Sequence, residues 1–257
     1  MEPYYHDEAA GITIFNGDCR DVLPTLAAGS IDLVLTDPPY GETSLSWDER
    51  IAGWPGMIAP LLSGAASLWC FGSVRFFMES IGQFADYQLA QDVVWEKHNG
   101  SGLHADRFRR VHELILQFYP RSSLWRDIYK IPQFTNDATA RKRLRRGSGP
   151  THQGARDSSV YVTEIGGPRL MRSVIYARSC HRAAEHPTQK PLEIVTPLLS
   201  YSCVPGGLVV DPFMGSGTTL AAAKCLGLSA IGIEISEAYC EVAVRRLQQS
   251  VLDLGVA

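Results

Sequence analysis

The stretch VVDPFMGSGTTLAAA, residues 209–223, combines the signals of a strand, a glycine turn and a helix. A buried strand is expected to end at Asp211, and a helix is expected to begin at Thr218. Between them, Gly215 and Gly217 permit a tight turn and a close approach of the backbone to a ligand. A Gly-x-Gly turn in this position is typical of a nucleotide-type cradle. It is not a phosphate-binding P-loop, because no lysine follows the second glycine.

A further strand signal, SAIGIEI at residues 229–235, follows this unit and ends near Glu234. In nucleotide-binding α/β folds, an acidic side chain about 20 residues after the glycine turn accepts hydrogen bonds from ribose hydroxyls. The two signals together favour a nucleotide-like cofactor. The alternative is a glycine-rich turn followed by an unrelated surface carboxylate.

Strand and helix signals alternate along most of the chain. Strands are predicted at GITIFNGD (11–18), IDLVLTD (31–37), AASLWCFG (65–72), YQLAQDVVWEK (87–97), VHELILQFY (111–119), GGLVVDPF (206–213) and SAIGIEI (229–235). Helices are predicted at CRDVLPTLAAG (19–29), VRFFMESIGQFA (74–85), PLEIVTPLLSYSC (191–203), GTTLAAAKCLG (217–227) and EAYCEVAVRRLQQSVL (237–252). This alternation predicts an α/β fold in which helices cover both faces of a parallel sheet.

The strand signal at residues 31–37 has an unusual end, VLTDPPYGE at residues 34–42. Its buried residues are followed by Asp37, by two prolines that donate no backbone hydrogen bond, and by Tyr40. Ligands of open α/β sheets gather at the carboxyl ends of the strands, so this end is a second candidate site. The alternative is a proline turn that simply terminates the strand.

Bulk properties are those of an ordinary soluble protein, with 45% hydrophobic and 20% charged residues in 257. The polar N-terminus is no signal peptide, and no apolar run reaches the roughly 18 residues of a membrane span. Six cysteines without a CxxC pair indicate reduced, mostly buried thiols in a cytoplasmic protein. Cys180, His181 and His186 fit no familiar metal-site spacing, and no metal is predicted.

Positive charge is concentrated in one part of the chain. Residues 121–182 contain 13 Lys and Arg against 4 Asp and Glu, whereas the whole chain has a net charge of −3. Within them, RKRLRRG at residues 141–147 places five cations in six positions, between polar flanks typical of loops. A solvated charged face is the simple interpretation. A basic segment in an otherwise acidic protein favours instead a surface that neutralises nucleic-acid phosphates.

Four motifs together resemble one enzyme family: DPPY (37–40), EHPTQKP (185–191), DPFMGSGTT (211–219) and IGIE (231–234). The chain resembles the DNA amino-methyltransferases that use S-adenosyl-L-methionine, and its motif order is similar to that of their permuted β group. The resemblance implies a doubly wound, Rossmann-like methyltransferase sheet with permuted motif order and an inserted basic target-recognition region. It implies a catalytic half (1–120), the insert (121–182) and a cofactor-binding half (183–257).

The resemblance also assigns site residues. The catalytic residues would be Asp37, Pro38, Pro39 and Tyr40. The cofactor-binding residues would be Asp18, Cys19, Asp37, His186, Thr188, Lys190, Asp211, Phe213, Gly215, Ser216, Gly217, Thr218 and Glu234. The DNA-binding residues would be Arg141, Lys142, Arg143, Arg145 and Arg146.

Within the cofactor group, Glu234 would hold the ribose, and Asp18 with the Cys19 backbone would meet the adenine. Lys190 would pair with the cofactor's carboxylate, unless it is an ordinary surface lysine. His112 and Glu113 fall on a strand beside the catalytic side, where a structural role is expected for His112.

The DPPY motif has a chemical interpretation in such an enzyme. The exocyclic amine of a base is a poor nucleophile because its lone pair is delocalised into the ring. Asp37 and the Pro38 carbonyl can each accept a hydrogen bond from the amine, which frees the lone pair, and the prolines hold that carbonyl in place. Tyr40 offers a face on which a base flipped out of the duplex can stack.

The predicted function is transfer of a methyl group to adenine N6 in double-stranded DNA, with cytosine N4 as the rival base. RNA and a protein glutamine amide are rival substrates, and the motif order and basic insert speak against the amide. A catalytically silent DNA-binding module is a rival of another class. The resemblance permits a homodimer and a cognate restriction endonuclease as partners without establishing either.

Overall fold

The computed structural model describes residues 2–43, 48–101, 105–139, 142–143, 162–180 and 189–253. Its strands are β1 (Tyr5–Asp7), β2 (Ile12–Asn16), β3 (Ile31–Thr36), β4 (Leu62–Gly72), β5 (Tyr87–Ser101), β6 (Arg110–Pro120), β7 (Phe134–Thr135), β8 (Lys142–Arg143), β9 (Val162–Thr163), β10 (Arg169–Leu170), β11 (Val174–Tyr176), β12 (Leu208–Asp211) and β13 (Ser229–Glu234). Its α-helices are α1 (Cys19–Val22), α2 (Trp54–Ile58), α3 (Val74–Ser80), α4 (Leu192–Ser202), α5 (Thr218–Cys225) and α6 (Glu237–Asp253). Short 3-10 helices follow at Leu23–Thr25, Ala59–Leu61, Ile81–Phe84 and Trp125–Asp127. No described helix is long and apolar enough to cross a membrane.

Nine of the described strands form one mixed sheet in the order β1-β2-β13-β12-β3-β4-β6-β5-β11. The five strands from β2 to β4 in this order are mutually parallel. The prediction of a parallel sheet is wrong for β6, which is antiparallel to both β4 and β5. Residues 102–109, which join β5 to β6, are fewer than the dozen or so of a parallel crossover, so the two strands form a hairpin.

Helices cover both faces of this sheet, as the alternating pattern predicts. Leu33 and Leu35 of β3 belong to a buried cluster with residues of α4, α5 and α6. Val34, between them, belongs to a second cluster with residues of α1, α2 and α3. Because successive side chains of a strand point to opposite faces, the two clusters are the cores above and below the sheet. The doubly wound α/β prediction is confirmed.

The chain divides into two compact units, residues 1–131 with 173–257, and residues 132–172. In the smaller unit β7 pairs with β10 and β8 pairs with β9, both antiparallel. The smaller unit is shorter than the expected insert, residues 121–182, because residues 121–131 and the residues from 173 onward belong to the main unit. The Tyr129 N–H donates to the Ala65 carbonyl at 2.9 Å, and β11 pairs with β5.

Candidate active site

Four neighbouring strands of the main unit carry acidic residues at their carboxyl ends. In the sheet order β2, β13, β12, β3 these are Asp18, Glu234, Asp211 and Asp37. Because the strands are parallel, the four residues lie along one edge, where α/β proteins bind their ligands. A cavity of about 1210 Å³ opens at this edge.

The cavity brings most of the predicted site residues together. Its wall includes the whole DPPY motif and, from the predicted cofactor group, Asp18, Cys19, Lys190, Asp211, Phe213, Gly215, Ser216, Thr218 and Glu234. Gly217 is not part of the described wall. Other predicted residues lie outside the described ranges: His186, Thr188, Arg141, Arg145 and Arg146. Lys142 and Arg143 are described only as the backbone of β8.

The glycine turn after β12 fixes the carboxylate of Glu234. Gly215 has a φ of +50°, and its N–H donates to Glu234 Oε2 at 3.0 Å. The Ser236 N–H donates to Oε1 at 2.8 Å. Burial raises the pKa of Glu234, while these N–H groups favour its ionised form. The turn therefore holds this carboxylate in place at the wall of the cavity.

Gly217 serves the packing of two helices. It precedes α5 with a φ of +75°, and a Cβ there would lie 2.8 Å from the Cβ of Ala243 on α6. Residues with a side chain rarely adopt this backbone conformation, and two non-bonded carbon atoms cannot lie so close together. Gly217 therefore allows α5 to start directly against α6 and so fixes the direction of the turn.

Changing Gly217 to alanine is expected to destabilise the fold. The matched control is Gly227→Ala, since Gly227 also has a positive φ, +67°, but a Cβ added there would have no atom within 4 Å. Because its new Cβ would clash with Ala243, Gly217→Ala should have a free energy of unfolding about 1–3 kcal/mol lower than that of Gly227→Ala. Denaturant unfolding followed by circular dichroism measures the difference. Equal losses in the two variants would contradict the packing role.

Asp211 ties the two motif strands together. Its Oδ1 accepts hydrogen bonds from the Thr36 hydroxyl at 2.9 Å and the Phe213 N–H at 3.2 Å. Its Oδ2 accepts from the Thr219 hydroxyl at 2.7 Å. Burial raises the pKa of Asp211 to about 6. The carboxylate thus links the end of β3, the turn and the start of α5 into one framework.

Asp18 and Cys19 lie at the other end of the row of carboxylates. Asp18 caps α1 by accepting from the Arg20 N–H at 2.8 Å, and it pairs with the Arg20 guanidinium at 2.5 Å. These contacts lower the pKa of Asp18. Burial raises the pKa of the Cys19 thiol to about 12, so the thiol stays protonated at neutral pH.

The end of β3 meets a buried network of charged side chains. Asp37 contacts both the Lys190 ammonium and the Tyr40 hydroxyl. Glu113 Oε1 lies 2.8 Å from the same hydroxyl and 3.2 Å from Lys190 Nζ. Lys97 Nζ lies 2.7 Å from Glu113 Oε2. Two ammonium groups therefore balance two carboxylates, and the tyrosine hydroxyl, with a single proton, lies between the carboxylates.

The two carboxylates of this network differ electrostatically. Burial raises the pKa of Asp37, and the charge of Glu113 raises it further, against the opposing effect of Lys190. Burial also acts to raise the pKa of Glu113, but Lys190 and Lys97 outweigh it and lower the pKa to about 2. Glu113 therefore stays ionised, and Asp37 is the more readily protonated of the two carboxylates.

Changing Glu113 to glutamine should alter the pH dependence of the reaction. Without the charge of Glu113, Lys190 acts on Asp37 alone, so the pKa of Asp37 falls. If the reaction needs ionised Asp37, the acidic limb of the rate profile moves to lower pH. The measurement is the single-turnover rate of the predicted methyl transfer against pH, with Glu96→Gln, an exposed change on the adjacent strand, as control. An unmoved acidic limb would show that Glu113 does not act on Asp37.

Sequence reasoning missed the roles of Glu113 and Lys97. One available signal was a carboxylate at a buried position of an otherwise apolar strand, which requires a buried charged partner. Lys190 was expected near the carboxylate of a cofactor. The structure places it against Asp37 and Glu113, and the cofactor contact stays a prediction.

Comparison with known proteins agrees with this geometry. The model of a protein family described as DNA methylase matches residues 31–245 of the chain. The chain belongs to this N6/N4 family of DNA methylases. Among curated relatives of this N6/N4 methylase, the type II methyltransferase M.HinfI of Haemophilus influenzae is 28% identical over 267 residues. That match covers 92% of the chain and 68% of M.HinfI.

Solved structures show that the N6/N4 methylase shares its fold with other methyltransferases. The cytosine-N4-specific PvuII DNA methyltransferase matches with a TM-score of 0.68 at 14% identity. That match covers 98% of this chain and 93% of the PvuII enzyme. The M1.HpyAVI–SAM complex has a TM-score of 0.60 at 22% identity, covering 92% and 99%. The match to the family model confirms the predicted resemblance to DNA amino-methyltransferases.

Proposed function

We propose that this N6/N4 methylase transfers a methyl group from S-adenosyl-L-methionine to N6 of adenine at a specific sequence in double-stranded DNA. One observation carries the proposal. The wall of a single cavity contains Asp37 of the DPPY motif as well as Gly215 and Glu234, which a hydrogen bond joins. The residues suited to hold a nucleoside and those suited to activate an amine therefore face one space.

S-adenosyl-L-methionine is the methyl donor of this family, and the cavity suits it. Asp211 and Glu234 place carboxylates at the strand ends that no described ion pair neutralises, which fits a ligand whose sulfonium and ammonium groups are positive. Glu234, fixed by two backbone N–H groups, has lone pairs for ribose hydroxyls. When bound, the donor supplies a methyl group on sulfur that a nitrogen lone pair can attack.

The chain's own residues prepare the amine. Asp37 and the Pro38 carbonyl would each accept a hydrogen bond from one of its N–H groups, and the lone pair would be freed for attack. Lys190 and Tyr40, which contact Asp37, hold its carboxylate in place. Burial and Glu113 raise the pKa of Asp37, which also suits it to take the proton that the methylated amine releases. One side of the Tyr40 ring packs on Phe76, with ring centroids 5.1 Å apart.

Adenine is favoured over cytosine by analogy and by a modest physical bias. Enzymes that resemble this one with Asp first in the tetrapeptide mostly modify adenine, whereas cytosine-N4 enzymes more often carry Ser. The larger purine also stacks more fully on Tyr40. The fold does not choose between the bases, since the PvuII enzyme of the same fold is cytosine-N4-specific. A silent DNA-binding module would not need the intact Asp37, Tyr40 and Glu234.

Product analysis tests the proposal. The protein is incubated with S-adenosyl-L-methionine and mixed-sequence DNA, the DNA is digested to nucleosides, and these are identified by mass spectrometry. N6-methyladenine is expected. N4-methylcytosine alone would overturn the base assignment and leave the family and the mechanism. The absence of any methylated base would overturn the enzymatic proposal.

The basic run at residues 141–146 is proposed to contact DNA phosphates. Changing Arg141, Lys142, Arg143, Arg145 and Arg146 to serine should flatten the dependence of DNA affinity on salt, by roughly 0.9 in log–log slope for each phosphate that is no longer neutralised. An unchanged slope would mean that the run is solvated surface. A homodimer and a cognate restriction endonuclease stay proposals that the site itself does not require.

A further inference from the structure

The hairpin between β5 and β6 carries an aromatic side chain on its surface. Phe108 has a relative exposure of 102%, the highest of the large hydrophobic side chains that the structure describes. Burying a phenylalanine side chain stabilises a protein by about 1.5–3 kcal/mol, and this position forgoes that stabilisation. The fold therefore gives no reason for an aromatic residue here.

Phe108 lies at the rim of the active-site cavity. It contributes to the same wall as Asp37, together with Arg107, Arg109 and Arg110. Arg110 begins β6, the strand that carries Glu113 into the charged network three residues later. The hairpin end thus continues into the strand that places Glu113 against Tyr40 and Lys190.

The arginines beside Phe108 are held by their surroundings but stay exposed. Arg107 pairs with Asp106 at 2.7 Å, and Arg110 lies 3.8 Å from Glu42. The aliphatic part of Arg109 lies directly against Gly100 of β5, where an added Cβ would be only 2.2 Å from Arg109 Cγ. An exposed aromatic ring among three guanidinium groups combines an apolar surface with positive charge. That combination complements a duplex with stacked bases and a phosphate backbone.

We propose that Phe108 is a wedge that enters the DNA duplex beside the target base, while the flanking arginines contact the phosphates. The inference rests on the proposed function and extends it. An amine inside a duplex cannot reach a cavity at the end of the sheet unless its base leaves the stack. Apolar side chains that insert between base steps unstack them, and an aromatic ring stacks on the bases that remain. Phe108 occupies the space that the flipped base leaves.

The test compares two substrates. Both are synthetic duplexes that carry the site found by sequencing methylated DNA, one with the normal base pair at the target and one with an abasic position opposite it. Single-turnover methylation of the normal duplex by Phe108→Ala should be slower by about tenfold or more, because the wedge is missing. On the abasic duplex, whose target base is already unpaired, the variant should come within about threefold of the parent.

Met78→Ala is the matched control, because Met78 is also an exposed apolar side chain, at 76%, but lies on α3 away from the cavity wall. It should match the parent on both duplexes. Equal rates of Phe108→Ala and parent on the normal duplex, or the same loss on both duplexes, would overturn the wedge. A parent protein that methylates neither duplex would instead overturn the proposed function.

Discussion

Replacing Asp37 with alanine is expected to reduce the single-turnover rate of methylation by about 100- to 1000-fold, the usual loss when a preorganised charge-stabilising group is removed. The reason is positional. Asp37 directly follows β3 at the wall of the cavity, and Lys190 and Tyr40 hold its carboxylate. Without it the amine keeps its delocalised lone pair. The measurement is rapid-quench methylation with saturating cofactor and DNA.

The same variant should keep its fold. Removing one partner of a buried ion pair is costly when it leaves the other charge alone, but Lys190 retains Glu113 at 3.2 Å. Asp37→Asn is the matched variant, because it keeps an oxygen acceptor at nearly the same volume and should lose less activity than the alanine variant. A rate for Asp37→Ala within a few-fold of the parent would refute Asp37 as the acceptor.

Gly215→Asp is expected to abolish binding of S-adenosyl-L-methionine. The φ of +50° at Gly215 strains any side chain, and an aspartate would place a second carboxylate beside Glu234, whose Oε2 accepts the Gly215 N–H at 3.0 Å. The new charge would also repel the carboxylate of the donor's own methionine. Titration calorimetry of the protein without DNA measures the loss.

Gly29→Asp controls for the backbone strain. Gly29 has a φ of +68° and open space where a Cβ would lie, and it lies outside the cavity wall. It should lose stability but bind the donor as the parent does. Equal donor affinity in Gly215→Asp and the parent would remove the glycine turn from the binding site.

Much of the fold is predictable because its signals are local. The strand that ends at Asp211, the turn at Gly215 and the helix that starts at Thr218 are all written in one short stretch, and the structure contains each of them. The direction of β6 was predicted wrongly, since an apolar run specifies a strand but not its orientation. Orientation follows from the length of the connection and from the partner strands.

The candidate site divides in the same way. Asp37 and Glu234 could be predicted because each follows an apolar strand in a recognisable motif. The ion pairs of Glu113 could not be predicted. They depend on the register that sets Trp95 opposite Glu113, which brings Lys97 close, and on the path that carries Lys190 to the end of β3. Such contacts arise from tertiary packing, to which neither propensity nor spacing is sensitive.

The strand order has a consequence for synthesis on the ribosome. β2 and β3 follow each other in the chain, yet β12 and β13, made about 170 residues later, lie between them in the sheet. Until residues 208–234 emerge, the nascent chain holds two unpaired strand edges that face a gap two strands wide. Unpaired edges are templates for pairing with other chains, and domains emerge N-terminal end first. Folding of the main unit is therefore a late insertion event, and nascent chains that stall before β12 are the species most in need of chaperone protection.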